Sequence, residues 1–522
     1  MHAEVETMHG RLRGSVKDGF TAFKGVAYGA DTSGAGRFMP PRPPEPWIGV
    51  RDALTCTAQA PQSRVGFGRR PELADFASPP DTTPESEDCL TLNLWTPQLG
   101  TSGAGDGARR PVMVWLHGGA FSFGSANGAR VDGGHLAGRQ SVVVVTVNQR
   151  LNIFGHLDLS TFSGAEFAPS GNAGTLDMIA ALEWVRDNIS NFGGDPGNVT
   201  IFGESGGAGK VSTLMAMPRA KGLFHRAIAQ SGAVIRLREP GRAAALTEAI
   251  LFELGLGRTQ IGELQSIPVA RLIAAIEPAV KALGPSPWPL FDRYPFGPVV
   301  DGTIVPRHPF EPDAPECSAD IPLLVGDTKD EASLFLAQND AVWNGTLTEA
   351  ELSQQVAVVA GANTDRVLAH YRRLLPGKSP ADRLIATLTD CNFRIRSWTM
   401  AERRVATAPA PTYFYTFAWE SPAFGGRLKS PHAMDVPFTF DTVDLLPPNH
   451  SNGDAATLAT AMSGTWAAFA RTGVPRHPSI PEWPAYTPDQ RATLVFDRRC
   501  RIDDDPGAET RVLWQEIASK QG

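Results

Sequence analysis

The sequence predicts an α/β protein: one large, mostly parallel central sheet flanked by helices, with helical insertions. Three observations lead there. Apolar β-type runs at 111–116, 141–147 and 199–202 alternate with a segment in which Met178, Ala181, Leu182, Val185 and Ile189 recur at helical spacing. The run Ser141-Val142-Val143-Val144-Val145-Thr146-Val147 is nearly continuous valine, as suits a parallel strand covered on both faces. Finally, Gly203-Glu204-Ser205-Gly206-Gly207 joins the third run directly to a stretch, Ala208 to Met217, that reads as helix.

In chain order, residues 1–60 are rich in Gly and Pro, with short alternating runs such as Phe20-Thr21-Ala22-Phe23, and read as small hairpins leading into the sheet. Thr101 to Gly107 is a polar Gly/Ala/Ser loop. The three strands above follow, with Gly193-Gly194 stopping the helix between the second and third. Ala227-Ile228-Ala229, Ile321 to Val325 and Pro411 to Phe417 read as later strands. Segments 236–285 and 346–410 carry Ala/Leu/Arg helical patterns and read as insertions packed over or beside the sheet. The 522 residues would allow roughly three domains on length alone. The continuous α/β rhythm favours a single domain over 1–522, with helical subdomains within 236–285 and 346–410.

Composition narrows the function classes. A net charge of −7 with dispersed Lys and Arg argues against nucleic acid, which needs a basic field. No run of apolar residues is long enough to span a bilayer. The N-terminus has neither a basic start nor an apolar core, and five scattered cysteines make neither a disulfide framework nor a metal motif. A cytoplasmic monomer without metal or organic cofactor is expected.

The chemistry concentrates at Ser205. A serine between glycines, after a strand and before a helix, has the form of a nucleophile elbow: a strained turn that exposes the hydroxyl above a helix start. A hydroxyl nucleophile needs a base, and in an α/β-hydrolase the order is nucleophile, acid, histidine. His432, in Lys429-Ser430-Pro431-His432-Ala433-Met434-Asp435 after the last strand, fits. His450 competes, but sits in what reads as an exposed turn; His370 reads as part of a polar helix face and His225 as a packing or capping residue. The acid should follow the Ile321–Val325 strand, where Asp327, Asp330 and Glu331 all stand. Pattern does not separate them, and helix capping accounts for any of the three. His117-Gly118-Gly119-Ala120-Phe121, after the 111–116 strand, supplies a Gly-rich loop for an oxyanion hole. Phe121, Phe123, Phe291 and Phe335 are candidate pocket linings.

With these residues in place, the chain resembles the type B carboxylesterases, the family of bacterial para-nitrobenzyl esterases and cholinesterases. The resemblance runs through Phe23 to Tyr28, Arg37 to Pro41, Glu87 to Asn93, Gly171 to Asp177, Ala181 to Val185, Asn191 to Pro196, Gly203 to Ser205, Gln230-Ser231-Gly232 and Arg471-Thr472-Gly473. It implies a serine esterase acting on small-molecule carboxylic esters through an acyl-enzyme. The triad would be Ser205, Glu331 and His432, and the oxyanion donors Gly119, Ala120 and Gly206. Glu204 and Ser231 would be supporting groups, Glu204 either electrostatic or simply a buried hydrogen-bonded carboxylate. Arg37 with Glu87 and Arg150 with Asp177 match structural charge pairs of the family. Ala120 replaces the usual third glycine, Gly206 the usual alanine (expected to loosen the elbow), and Met178 a glutamine. The family's first-loop disulfide pairs Cys89 with a cysteine in an Ala-Cys-Pro-Gln run; here Cys56 lies four residues earlier, which speaks against it. Two alternatives stand beside the esterase reading: a carbamate or amide hydrolase with the same triad, and a non-catalytic cholinesterase-like binding protein, against which the intact triad argues.

Overall fold

The computed structural model describes residues 1–63, 70, 73, 81–97, 99, 109–163, 165–284, 295–447 and 453–519. Among these, thirteen strands form one sheet: β1 (His2–Thr7), β2 (Gly10–Lys17), β3 (Phe20–Ala27), β4 (Val50–Asp52), β5 (Thr91–Pro97), β6 (Arg110–Leu116), β7 (Val143–Val147), β8 (Gly194–Glu204), β9 (Arg226–Gln230), β10 (Leu323–Thr328), β11 (Thr412–Phe417), β12 (Ala492–Phe496) and β13 (Arg501–Asp504). Their order is β1-β2-β3-β5-β7-β6-β8-β9-β10-β11-β12-β13, with β4 alongside β2. From β7 through β6, β8, β9, β10 and β11 to β12 every pairing is parallel; the hairpins at both ends are antiparallel. All six strands read from the sequence are present. β5 and the C-terminal pair β12–β13 were not read as strands: β5 shows no clean alternation because all of Thr91 to Thr96 are buried.

Both faces of the parallel strands are covered, as the valine run implies. Successive side chains alternate between two cores: Val143, Val145 and Val147 join one and Val142 and Val144 the other, as do Val112, Val114 and Leu116 against Met113 and Trp115. Helix α1 (Ala173–Asn188) packs on the first face; the long helix α6 (Gly453–Thr472) packs on the second. The insertions are helical, as expected. Pro240–Leu254, Val269–Ala274 and Ile276–Ala282 share one satellite core. The second insertion, with α4 (Pro380–Thr389) and α5 (Ile395–Thr407), largely shares another core with the C-terminal helix Ala508–Ser519. No helix among the described residues is long and apolar enough to cross a membrane. The expected loop at 101–107, and most of the wall at 285–296, lie outside the described residues.

Register brings the chemistry together. Leu116 pairs with Gly203, Glu204 with Gln230, Gln230 with Gly326, and Thr328 with Phe417. The C-terminal ends of β6, β8, β9, β10 and β11 therefore line up on one edge, where open α/β sheets hold their ligands. The segments that carry Gly119, Ser205, Ser231, Glu331 and His432 all leave the sheet there.

Candidate active site

Ser205 follows β8 and N-caps α2 (Gly206–Met215), with φ 57° and ψ −122°. A non-glycine residue at positive φ is strained. The surroundings enforce it: the Ser205 N–H donates to Gln230 O at 2.9 Å, and Ser205 O accepts from Gly209 N at 3.1 Å. Ser205 itself is half-buried.

The loop after β6 leans on this elbow. Gly119 has φ 95°, and a Cβ there would collide with the Phe123 carbonyl. Ala120 and Phe121 also have positive φ, 50° and 61°. Gly206 sits where the loop after β6 presses on the elbow. A Cβ at 206 would collide with the Ala120 nitrogen, so the glycine admits the loop backbone directly onto the start of α2. The N–H groups of Gly119, Ala120 and Gly206 thus belong to backbone segments in contact.

Glu331 and His432 meet. Glu331 N-caps α3 (Ala332–Leu336) but makes no side-chain capping bond. Its Oε1 accepts from the Thr328 N–H at 2.7 Å, and its Oε2 lies 2.5 Å from His432 Nδ1. Both side chains are buried, and the imidazole packs against the stacked pair Phe335 and Phe393, each 5.0 Å away centroid to centroid. The three acids that pattern left open have different partners. Asp327 is bound by Arg394 Nε at 3.1 Å; its burial raises its pKa to about 7 against the pull of Arg394. Asp330 holds the acid loop to the histidine loop through its N–H to Ser430 O, 2.9 Å.

On the other side of the ring, Glu204 Oε1 lies 3.2 Å from His432 Nε2. Burial raises the Glu204 pKa. Burial alone would lower that of His432, but the carboxylates of Glu204, Glu331 and Asp435 outweigh it and hold it above the ordinary imidazole value. Glu204 is therefore neither a surface group nor a remote one. Ser231 also has positive φ, 53°; its N–H donates to Gly326 O at 2.8 Å, while its buried hydroxyl has no hydrogen-bond partner among the described residues.

Sequence reasoning missed several participants. Asp435 accepts from Gln230 Nε2 at 2.9 Å and from the Tyr415 hydroxyl at 2.8 Å, fixing the turn after His432. Phe393 and Arg394 come from the second insertion, where helical periodicity gives no hint of the site. Lys210, on α2, is fully buried; a lysine among Gly206-Gly207-Ala208-Gly209 and Val211 was the available signal. Of the candidate pocket linings, Phe335 packs against His432 at 5.0 Å and Phe121 on His156 at 5.3 Å; Phe291 and His450 lie outside the described residues. His370 is buried beside Thr510, 2.8 Å from its hydroxyl, rather than on a polar face, and His225 Nδ1 accepts from the Val199 N–H, in the packing or capping role expected. The charge pairs form: Arg37 with Glu87 at 2.7 and 2.5 Å, and Arg150 with Asp177 at 2.8 and 2.6 Å. Cys56 and Cys89 are free thiols.

A sequence model of the carboxylesterase family matches residues 1–514. The para-nitrobenzyl esterase of Bacillus subtilis is 34% identical over 517 residues, 98% of each chain. The phenmedipham hydrolase of Pseudarthrobacter oxydans is 33% identical, covering 97% of this chain and 96% of its own. The crystal structure of a Geobacillus stearothermophilus carboxylesterase, 37% identical, superposes with a TM-score of 0.83 over 98% of this chain and 100% of its own. Matched along almost its entire length in both sequence and fold, the chain belongs to the carboxylesterase family and is an α/β-hydrolase that cleaves carboxylic ester bonds.

Proposed function

We propose that Ser205, His432 and Glu331 are the catalytic triad of this esterase and that the N–H groups of Gly119, Ala120 and Gly206 form its oxyanion hole. His432 Nε2 takes the Ser205 proton as Oγ attacks the ester carbonyl. The three N–H groups stabilise the tetrahedral oxyanion, and protonated His432 passes its proton to the leaving alcohol. Water, activated by His432, then cleaves the acyl-enzyme. Glu331 selects the tautomer with the proton on Nδ1 and stabilises the cation as it forms. The observation that carries this reading is the 2.5 Å contact between Glu331 Oε2 and His432 Nδ1, at the sheet edge where the Ser205 elbow also sits.

The substrates are small-molecule esters. The uninterrupted sheet from the N-terminal hairpins to β13 supports a single catalytic domain, and the charge and cysteine usage support a cytoplasmic monomer. The test is Ser205→Ala. It should lower ester turnover by several powers of ten with the melting temperature unchanged, and a fluorophosphonate probe should label Ser205 in the wild type. Labelling at another serine, or an active alanine variant, overturns the assignment.

A further inference from the structure

The second turn of α2 buries a lysine in a place where stability does not ask for one. Lys210 is fully buried, and among the described residues no acid is paired with it. A buried amine that is not hydrogen-bonded bears its full desolvation penalty. An apolar side chain of similar volume would avoid that penalty altogether. The partners of Lys210 show what its amine does. Nζ donates to the His117 carbonyl at 2.7 Å. It lies 2.9 Å from the Gln149 side-chain amide and 5.7 Å from the Phe121 ring centroid.

His117 is the first residue of the loop after β6. Its own ring, also buried, continues the arrangement: Nδ1 lies 2.7 Å from Gly118 O, and the Gln149 amide lies 2.8 Å from Nε2. Burial, reinforced by the neighbouring Lys210 amine, holds the His117 pKa well below the ordinary value. The first carbonyl of the loop is thus held by an amine of α2, the helix that starts at the Ser205 elbow. In a planar trans peptide the N–H points opposite to the C=O. Holding the His117 carbonyl toward α2 fixes the plane of the 117–118 peptide and so the direction in which the chain enters Gly119 and Ala120. The loop there lies against the elbow: a Cβ on Gly118 would lie 3.5 Å from Ser205 Cβ.

We propose that Lys210 is a positioning residue for catalysis: its hydrogen bond to the His117 carbonyl holds the 117–120 backbone in the orientation that aims the Gly119 and Ala120 N–H groups at the ester oxyanion. The inference rests on the reading of Gly119, Ala120 and Gly206 as oxyanion donors. It differs from a purely structural role in what it predicts. Loss of the amine should weaken binding of an oxyanion and leave binding of an uncharged ligand of the same shape intact.

The experiment compares the wild type with Lys210→Met, which keeps the volume and removes the donor, and with Lys210→Gln, whose amide stops short of His117 O. Folded sites are counted by end-point titration with a fluorophosphonate. Three quantities are then read per titrated site: kcat/KM for 4-nitrophenyl acetate; Ki of an alkyl trifluoromethyl ketone, which Ser205 converts to a hemiketal oxyanion; and Ki of the matching secondary alcohol, which forms no oxyanion. The expected result for Lys210→Met is a loss of about 10- to 100-fold in kcat/KM, an equal loss of ketone affinity, and alcohol affinity within threefold of wild type. Ketone affinity within twofold of wild type overturns the proposal. So does an equal loss for ketone and alcohol, or the absence of titratable serine in both variants, since either assigns the lysine to folding. Ser205→Ala separates the two layers. If that variant binds the ketone as tightly as wild type, it is the reading of the active site that fails.

Discussion

His432 has carboxylates facing both ring nitrogens, and this fixes when it can serve as a base. On the proposed mechanism only the neutral imidazole accepts the Ser205 proton, so kcat/KM should fall on the acid side as His432 protonates. Burial alone would make protonation harder. Glu204, Glu331 and Asp435 more than reverse that, so the folded-state pKa is raised and the acid limb should lie above the ordinary imidazole value. Removing one negative neighbour lowers the pKa of a cationic acid. Glu204→Gln should therefore shift the acid limb of the kcat/KM profile to lower pH; a limb that does not move would mean that Glu204 is already neutral. Glu331 has the direct contact, and its replacement should act through the tautomer rather than through charge alone. Glu331→Gln should cost about 100-fold or more in kcat, against a much smaller loss for Asp330→Asn, whose backbone N–H rather than its carboxylate forms the closer bond to the histidine loop. Asp327→Asn should also fall short of Glu331→Gln, because Asp327 faces Arg394 and not the imidazole. Steady-state kinetics of the three variants decide the order.

At the scale of elements, the site depends on the loop after β6 and the start of α2 being in backbone contact. Gly206 meets the Ala120 backbone there, at its nitrogen and Cα, in the place where the family usually has an alanine after the nucleophile. Gly206→Ala restores the commoner residue and should nonetheless be harmful, since its Cβ would meet the Ala120 nitrogen. A displaced donor costs roughly 10²-fold or more in turnover. The check is kcat with the melting temperature measured alongside; a fully active Gly206→Ala enzyme would mean that the loop moves aside freely. If this loop is the oxyanion hole, Gly118, Gly119 and Ala120 put no bulky side chain against a branched alcohol, so tert-butyl acetate should be hydrolysed measurably beside n-butyl acetate. No turnover of the tertiary ester would assign the limit to the pocket walls instead.

For the whole molecule, buried ion pairs fasten the segments around the sheet. Arg150, just beyond β7, is fully buried and binds Asp177 of α1 through Nε and Nη2, while Nη1 donates to Met39 O at 2.8 Å. Removing one partner strands the other charge in the core. Arg150→Met should lower stability by about 3–5 kcal/mol, read as a drop in the urea midpoint, and Arg150→Met with Asp177→Leu should lose less than the single change. The sequence by itself determined the parallel core, because each strand and helix there carries its own period of apolar residues: the valines of β7, the 178–189 repeat of α1, and the glycine-flanked Ser205 between β8 and α2. It determined the elbow and the Gly-rich loop for the same reason, since a strained turn limits the residues it tolerates. The choice of Glu331 over Asp327 and Asp330 came from resemblance to a family, and the contact with His432 came only with the tertiary structure. Three acids within five residues differ not in composition but in where each side chain points once β10, β11 and the second insertion are packed. The same holds for Phe393 and Arg394, which arrive from a helix remote in sequence, and for Lys210. Burial, and the carbonyl that answers it, are properties of neighbours brought together by the sheet, and no local pattern in a chain records who those neighbours are.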